Sequence, residues 1–408
     1  MSAQKIVGPR EANWVQGTTL LSQQVLPTMG PLLLVPVVPL IIQEYGTMPG
    51  ADYWVPALLT VPALCIALFS FFAGAIGDRF GRRYPLILAL VLYGAAGMAP
   101  LVLTSFPAVF ASRILLGVCE ALIATLSMTL LGDYFSGARR DRWLALIATV
   151  GAGSAILFLA LSGAVGGAFG WRAPTAIYGL AFLVVPAMLL WTWEPRRHAV
   201  EVVSPAEPFP LRHVVLVGAA TLIGGTYFFL VAIQQAFGLV EMGVTDPGRI
   251  GLLTAIAGFG NPIGSLIFRR LVTAKRGLLI GVEMVLIGGG LIGMSQAPTD
   301  IMFCVSAFVA SLGAGMLMPT LITWMIGGLP YSARGRGAGI FQSTFCFGQF
   351  ASGLVLPFMA HTVVGGVLPA FGVFGLVALG LAVAAFLFSR ARPKLQNAPA
   401  DLPGSSHK

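Results

Sequence analysis

Residues 74–83 read Gly74-Ala75-Ile76-Gly77-Asp78-Arg79-Phe80-Gly81-Arg82-Arg83. The apolar stretch 53–77 runs into this decapeptide and another, 84–104, runs out of it. Each is long enough to cross a bilayer as a helix, which takes about 20 apolar residues. Charges and glycines between two such stretches predict a tight turn at the lipid–water boundary. Gly81 permits the turn itself. Gly74 and Gly77 remove side chains from the end of the preceding helix, so another helix can approach its backbone.

The rest of the chain has the same character. Of its 408 residues, 57% are hydrophobic and 10% charged, and the mean hydropathy is +0.88. A soluble domain carries about 25% charge, so lipid is the solvent for most of this one. Apolar stretches fall near 18–43, 53–77, 84–104, 107–132, 143–168, 173–193, 213–238, 249–268, 278–297, 301–328, 337–361 and 367–389. Their length and glycine content favour helices over barrel strands. The expectation is an all-α membrane protein with twelve transmembrane helices. The first stretch is itself long enough to span and lacks a small-residue cleavage site, so no cleavable signal peptide is expected. Cys65, Cys119, Cys304 and Cys346 all fall inside expected spans and read as small buried hydrophobes.

A net charge of +9 raises the question of nucleic acid, and its placement answers it. With the amino terminus inside, 21 of the 24 Lys and Arg residues fall in the two tails and the even-numbered turns. Arg172 and Arg249 fall outside, and Arg113 lies within a span. This is the positive-inside bias of an even number of helices with both termini cytoplasmic. No nucleic-acid partner is needed; the partner is the bilayer.

Residues 194–212, with Pro195, Pro205, Pro208 and Pro210, form the only sizeable polar break. It reads as a linker between an amino-terminal six-helix bundle, 1–193, and a carboxy-terminal one, 213–392. Residues 393–408 read as a disordered cytoplasmic tail. The halves resemble each other at an offset of about 190–194 residues, the mark of a parallel repeat. Arg140-Asp141-Arg142 before span five answers to Arg334-Gly335-Arg336 before span eleven. Phe268 stands where Asp78 stands, so the second copy has lost the acid.

Gly74, Gly77, Asp78, Arg79, Gly81, Arg82 and Arg83 match the G-x-x-x-D-R-x-G-R-R signature between helices two and three of the major facilitator superfamily. The resemblance covers residues from about 15 to 392 and implies two six-helix bundles around a midplane cavity that work by alternating access. In that family the Asp of this turn caps helix eleven across the bundle interface, and an Arg pairs with an acid at the end of helix four. The positions implied here are Asp78, the start of span eleven at Arg334–Ala338, Arg82 and Asp133. Gly74, Asp78, Arg79, Gly81, Arg82 and Asp133 would then form a charge latch that favours one access state. The plainer reading is an anchor that sets topology.

Span four reads Arg113-Ile-Leu-Leu-Gly117-Val-Cys-Glu120. Arg113 and Gly117 match the family's helix-four element. Seven residues put Arg113 and Glu120 within about 20° of one face and about 10 Å apart along the axis. Side chains lean towards the amino terminus, so Glu120 leans towards Arg113 while Arg113 leans away, and a direct salt bridge is not assured. A charge near the bilayer centre costs about 2.5–3.5 kcal/mol on insertion scales. Two on one face suggest a return: Glu120 carries a coupling proton, with Arg113 tuning it or binding an anionic substrate. The competing reading is a buried pair that fixes packing. Glu283, the other acid inside a span, reads as structural, in reach of Arg269 or Arg276.

Uncharged polar groups supply cavity candidates. Gln23 and Gln24 lie in span one, before Pro27, Pro31, Pro36 and Pro39. Tyr227, Gln234 and Gln235 lie in span seven. The resembling fold lines its cavity with helices one, four, seven and ten, which makes these five the expected substrate contacts. The alternative for each is an interhelical hydrogen bond. Span five carries Ser162-Gly163-Ala164-Val165-Gly166-Gly167. It resembles the glycine-rich element of antiporter branches without the diagnostic proline; its plainer reading is packing against helix eight.

No histidine or cysteine pattern suggests a metal, no phosphate loop suggests ATP, and no catalytic arrangement emerges. A membrane enzyme would want clustered acids or histidines, and a membrane sensor a soluble extension. The expectation is a monomeric secondary transporter of a small organic solute in a bacterial inner membrane. Coupling to protons or another ion is expected, no cofactor is, and efflux is slightly favoured. The alternative is a symporter that imports an organic anion.

Overall fold

The first expected span is not one helix. The computed structural model describes residues 12–195, 209–271, 274–330 and 333–391. In it the stretch 18–43 breaks into Trp14–Val25, a 3-10 turn Leu26–Thr28, a single helical turn Met29–Leu32, and Val38–Tyr45. The four prolines between Pro27 and Pro39 account for the breaks, since each lacks the N–H that would continue the ladder. We refer to the whole as α1. Asn13 caps its start, accepting from Val15 N–H while Gln16 Oε1 accepts from Asn13 N–H.

The other crossings follow in order: α2 Ala51–Phe80, α3 Arg83–Met98, α4 Phe106–Tyr134 and α5 Gly137–Phe169. Then come α6, a 3-10 segment Ala173–Gly179 running into Leu180–Trp191, and α7, Leu211–Ala232 continued by Gln235–Glu241. α8 comprises Pro247–Gly258 and Gly260–Leu271. The last four are α9 Arg276–Ser295, α10 Asp300–Gly327, α11 Arg334–Phe358 and α12 Val367–Ala391. Eleven helices are long and apolar enough to span among the described residues, and the broken α1 supplies the twelfth crossing. Lys5, Arg10, most of the expected 194–212 linker and the expected disordered tail 393–408 lie outside the described residues.

The repeat seen weakly in the sequence is plain in the backbone. Gly50 (φ 75°) precedes α2 and Gly243 (φ 85°) precedes α8; Gly170 (φ 87°) precedes α6 and Gly365 (φ 77°) precedes α12. The left-handed conformation that a side chain disfavours thus recurs at equivalent turns of the two halves.

The bundles touch chiefly along two helix pairs, and along these only over part of their length; the last piece of α1, Val38–Tyr45, also meets Gln235–Glu241 of α7 and Pro247–Gly258 of α8. On α2, Thr60, Ala67, Gly74 and Asp78 fall within about 60° of one line; on α11, Gly353, Cys346, Gly339 and Gly335 do the same. At one end of these lines Gly353 packs on Thr60, and Cys346 clusters with Ala63 and Ala67. At the other end Gly74, Gly335 and Gly339 face open space. The pair α5–α8 behaves alike. A Cβ at Gly163 would lie 2.6 Å from Pro247 O and 2.9 Å from Gly251 Cα. Beyond Ile156 and Gly258, the in-line residues Thr149, Ser265 and Arg269 are exposed. The open end carries the arginine-bearing turns; we call it the arginine face. The opposite face is sealed, and there His361 Nε2 of the turn after α11 stands 3.8 Å from Asp52 Oδ1 of α2.

Candidate functional site

The break in α1 leaves Gly30 O without a helical donor in the middle of the amino-terminal bundle, while Leu26 O and Met29 O each keep one backbone N–H bond. Two tyrosines from the outer helices reach them. Tyr93 of α3 donates to Leu26 O at 2.5 Å. The Tyr178 hydroxyl of α6 lies 3.0 Å from Gly30 O and 3.2 Å from Met29 O. Tyr178 in turn accepts from Arg113 Nη1 at 3.1 Å, while Arg113 Nη2 donates to Gly97 O of α3 at 3.0 Å. The guanidinium carbon stands 5.1 Å from the centre of the Tyr178 ring, a cation–π distance.

Arg113 and Glu120 are both wholly buried, and they are not ion-paired. Both Glu120 oxygens lack a hydrogen-bond partner, as does Arg113 Nε. The carboxyl lies so close to Gly30 that a Cβ there would collide with Oε1. Gly117, one turn earlier on α4, lets that helix press onto the Pro62 backbone and Cys65 of α2, 2.5 and 2.8 Å from where its Cβ would be. The site is therefore a buried acid, a buried cation and an unwound stretch of α1, joined by one phenol. Tyr178 and Gly30 were missed in the sequence. A tyrosine in an apolar stretch beside the Gly-Trp-Arg turn, and a glycine next to prolines, were the only signals.

The expected substrate contacts sit mostly inside the bundles in this conformation. Gln23 is wholly buried with neither amide atom partnered. Gln24 is half-buried and donates to Ser127 Oγ of α4 at 2.7 Å. Gln234 and Gln235 are buried at the break in α7, and Gln234 Oε1 is unpartnered. Tyr227 points into its own bundle and donates to Phe374 O of α12 at 3.0 Å.

At the arginine face, Arg82 and Asp133 form an ion pair between the α2–α3 turn and the end of α4. Asp78 and Arg79 are exposed, and the N-cap residue of α11 is Ala333, which makes no side-chain cap. Gly81 adopts φ 88° at the turn. Glu194, which the sequence assigned to the linker, takes N–H bonds from Arg82 and Arg83 at 2.7 and 2.8 Å and caps α3. Glu283 does not meet Arg269 or Arg276. It is wholly buried between α9 and α10, with Oε1 2.5 Å from Thr320 Oγ1. Its face of α9 packs on α10, where a Cβ at Gly313 would lie 2.6 Å from the Glu283 backbone carbonyl.

Comparison with known proteins agrees with this architecture. The family model described as Major Facilitator Superfamily matches residues 24–353. An uncharacterized MFS-type transporter of Bacillus subtilis, YceJ, is 24% identical over 76% of this chain and 80% of its own. The bacillibactin exporter of the same organism is 27% identical over a shorter stretch, 27% of this chain and 28% of its own. Among solved structures, a bacterial homolog of the human lysosomal transporter Spinster, inward-facing and unoccupied, superposes with a TM-score of 0.74 at 17% identity, covering 93% of this chain and 98% of that one. A D-xylose-proton symporter does so with a TM-score of 0.75 at 16% identity over 94% and 99%. With the signature turn, the doubled six-helix bundle and a family match over most of its length, the chain belongs to the Major Facilitator Superfamily.

Proposed function

We propose that this protein is a proton-coupled exporter of a small organic solute, with Glu120 as the site of the coupling proton. One observation carries the reading: Glu120 is buried at the unwound part of α1 with both oxygens unpartnered. A carboxylate without donors is costly in a low-dielectric interior, whereas a neutral acid is tolerated there. A group so placed exchanges a proton whenever the surrounding helices open.

The arginine-bearing turns belong in the cytoplasm by the positive-inside bias. The open end then faces inward, with both termini cytoplasmic, in a bacterial inner membrane. Export is favoured over import by the similarity to the bacillibactin exporter. The Gly163–Gly167 element of α5 does not add to that argument, because packing explains it: Gly163 and Gly167 face the start of α8, and Gly166 faces Val37 of α1. Import of an organic anion is not favoured, since Arg113 is wholly buried and both its terminal nitrogens are engaged, by Gly97 O and the Tyr178 hydroxyl, inside the bundle.

Glu120→Gln tests the reading. In inside-out vesicles, proton-driven flux of a solute found by thermal-shift screening should fall by at least tenfold, while solute binding and thermal stability are kept. Undiminished pH-driven flux in that variant would sink the proposal.

A further inference from the structure

We infer that Tyr178 is a positioning residue for the proton site: its hydroxyl keeps Arg113 on the far side of the Gly30 peptide, away from Glu120. The inference rests on the reading of Glu120 as the proton site.

The hydrogen-bond inventory leads to it. No backbone N–H is donated to Gly30 O from the turn that follows it, because Leu34 makes no such bond. A phenol has one proton to give and lone pairs to receive. Tyr178 gives its proton to the α1 carbonyls and receives Arg113 Nη1. Gly97 O holds the other terminal nitrogen. The guanidinium is thereby fixed between α3 and α6. Glu120 lies against the Cα of Gly30, so one glycine separates the carboxyl from the phenol that restrains the cation.

The titratable groups within electrostatic reach of Glu120 are Arg113 and Cys119 of α4, Tyr178 of α6, Tyr93 of α3, Cys65 of α2 and Cys346 of α11. Of these only arginine is charged at neutral pH. Its position is therefore the variable that sets how readily the site gives up its proton. Without the hydroxyl, Arg113 loses one anchor, and the strongest acceptor near it is an unpartnered carboxylate. A guanidinium that moves onto a carboxylate favours the charged form, commonly by about 1–3 pH units.

The experiment is the pH profile of solute flux in vesicles for Tyr178→Phe, with Tyr93→Phe as control. Tyr178→Phe should move the midpoint to lower pH by about one unit or more. Tyr93→Phe removes a bond to the same unwound segment but frees no charged group, and its midpoint should stay in place. Placing 3,5-difluorotyrosine at position 178 weakens the hydroxyl as an acceptor with little change in shape. It should give a smaller shift in the same direction, and it serves if the Phe variant does not accumulate. A Tyr178→Phe midpoint equal to that of the wild type, or an equal shift in Tyr93→Phe, would overturn the inference. Proton-driven flux surviving in Glu120→Gln would instead remove the reading beneath it.

Discussion

Only a hydrogen atom fits on the Gly30 Cα, because Glu120 fills the space a methyl group would take. The glycine, inside the single helical turn Met29–Leu32, lets a carboxyl lie directly against a peptide group. Gly30→Ala should separate them. The added methyl forces the carboxyl aside at a cost of about 1–3 kcal/mol, and proton-driven flux should drop by at least an order of magnitude. Flux and thermal unfolding measured together decide the matter: lower stability with full coupling would make Gly30 a packing residue only. Arg113 and Glu120 were legible in the sequence because a charge in an apolar stretch needs a reason. Gly30, one of 51 glycines, was not. Nor was Tyr178, whose acceptor is 148 positions away; a bond between helices of different repeat position leaves no local pattern.

Matching ties at the sealed face join the last piece of each half's first helix to the start of its last helix. Glu44, exposed past the end of the apolar stretch, takes both terminal nitrogens of Arg172 at 2.6 and 2.7 Å and the Trp171 indole N–H at 2.7 Å. Glu241, at the corresponding place at the end of α7, takes the Val367 and Leu368 N–H groups at 2.5 and 3.4 Å and caps α12. The Arg172 hydrogen bonds beside Glu44 hold its carboxyl down at about 2, against an ordinary value of 4.5. The sign follows from linkage: a carboxyl more acidic when folded stabilises the fold above its ordinary value, and that contribution is lost as pH falls through the lowered one. Wild type and Glu44→Gln should therefore differ in unfolding temperature by a constant amount above about pH 4.5 and converge towards pH 2. A gap that widens on acidification would contradict the ion pair. The element boundaries tell the same story of partial legibility. The breaks in α1 were foreshadowed by its prolines. The break in α7 was not, since it falls at Ile233–Gln234 with no proline and no glycine. There Gln234 N–H goes back five residues to Phe229 O, a local π-type widening that the apolar sequence around it does not announce.

At the scale of the whole molecule, the two contact lines between bundles are straight but only half occupied. Asp78 stands in phase with Thr60 on α2, and Gly335 in phase with Gly353 on α11. One end of each line is in contact and the other is not. A rocking of one bundle on the other about the midplane would bring Asp78 to the start of α11, whose N-cap residue, Ala333, has no side-chain acceptor. The Arg82–Asp133 pair lies wholly within the amino-terminal bundle, so it survives that motion and presents the turn rather than gating it. On this proposal Asp78 stabilises only the state in which the arginine face is closed. A helix cap is worth about 1 kcal/mol, which corresponds to about a fivefold change in the ratio of the two states. Asp78→Ala should raise the ratio of open to closed at the arginine face by that factor. The change is measurable as faster maleimide labelling of a cysteine placed at Gly339, where there is space for the reagent, in right-side-out and inverted vesicles. Slower labelling in the variant would mean that Asp78 holds the open state instead, and the direction assigned to the latch would be reversed.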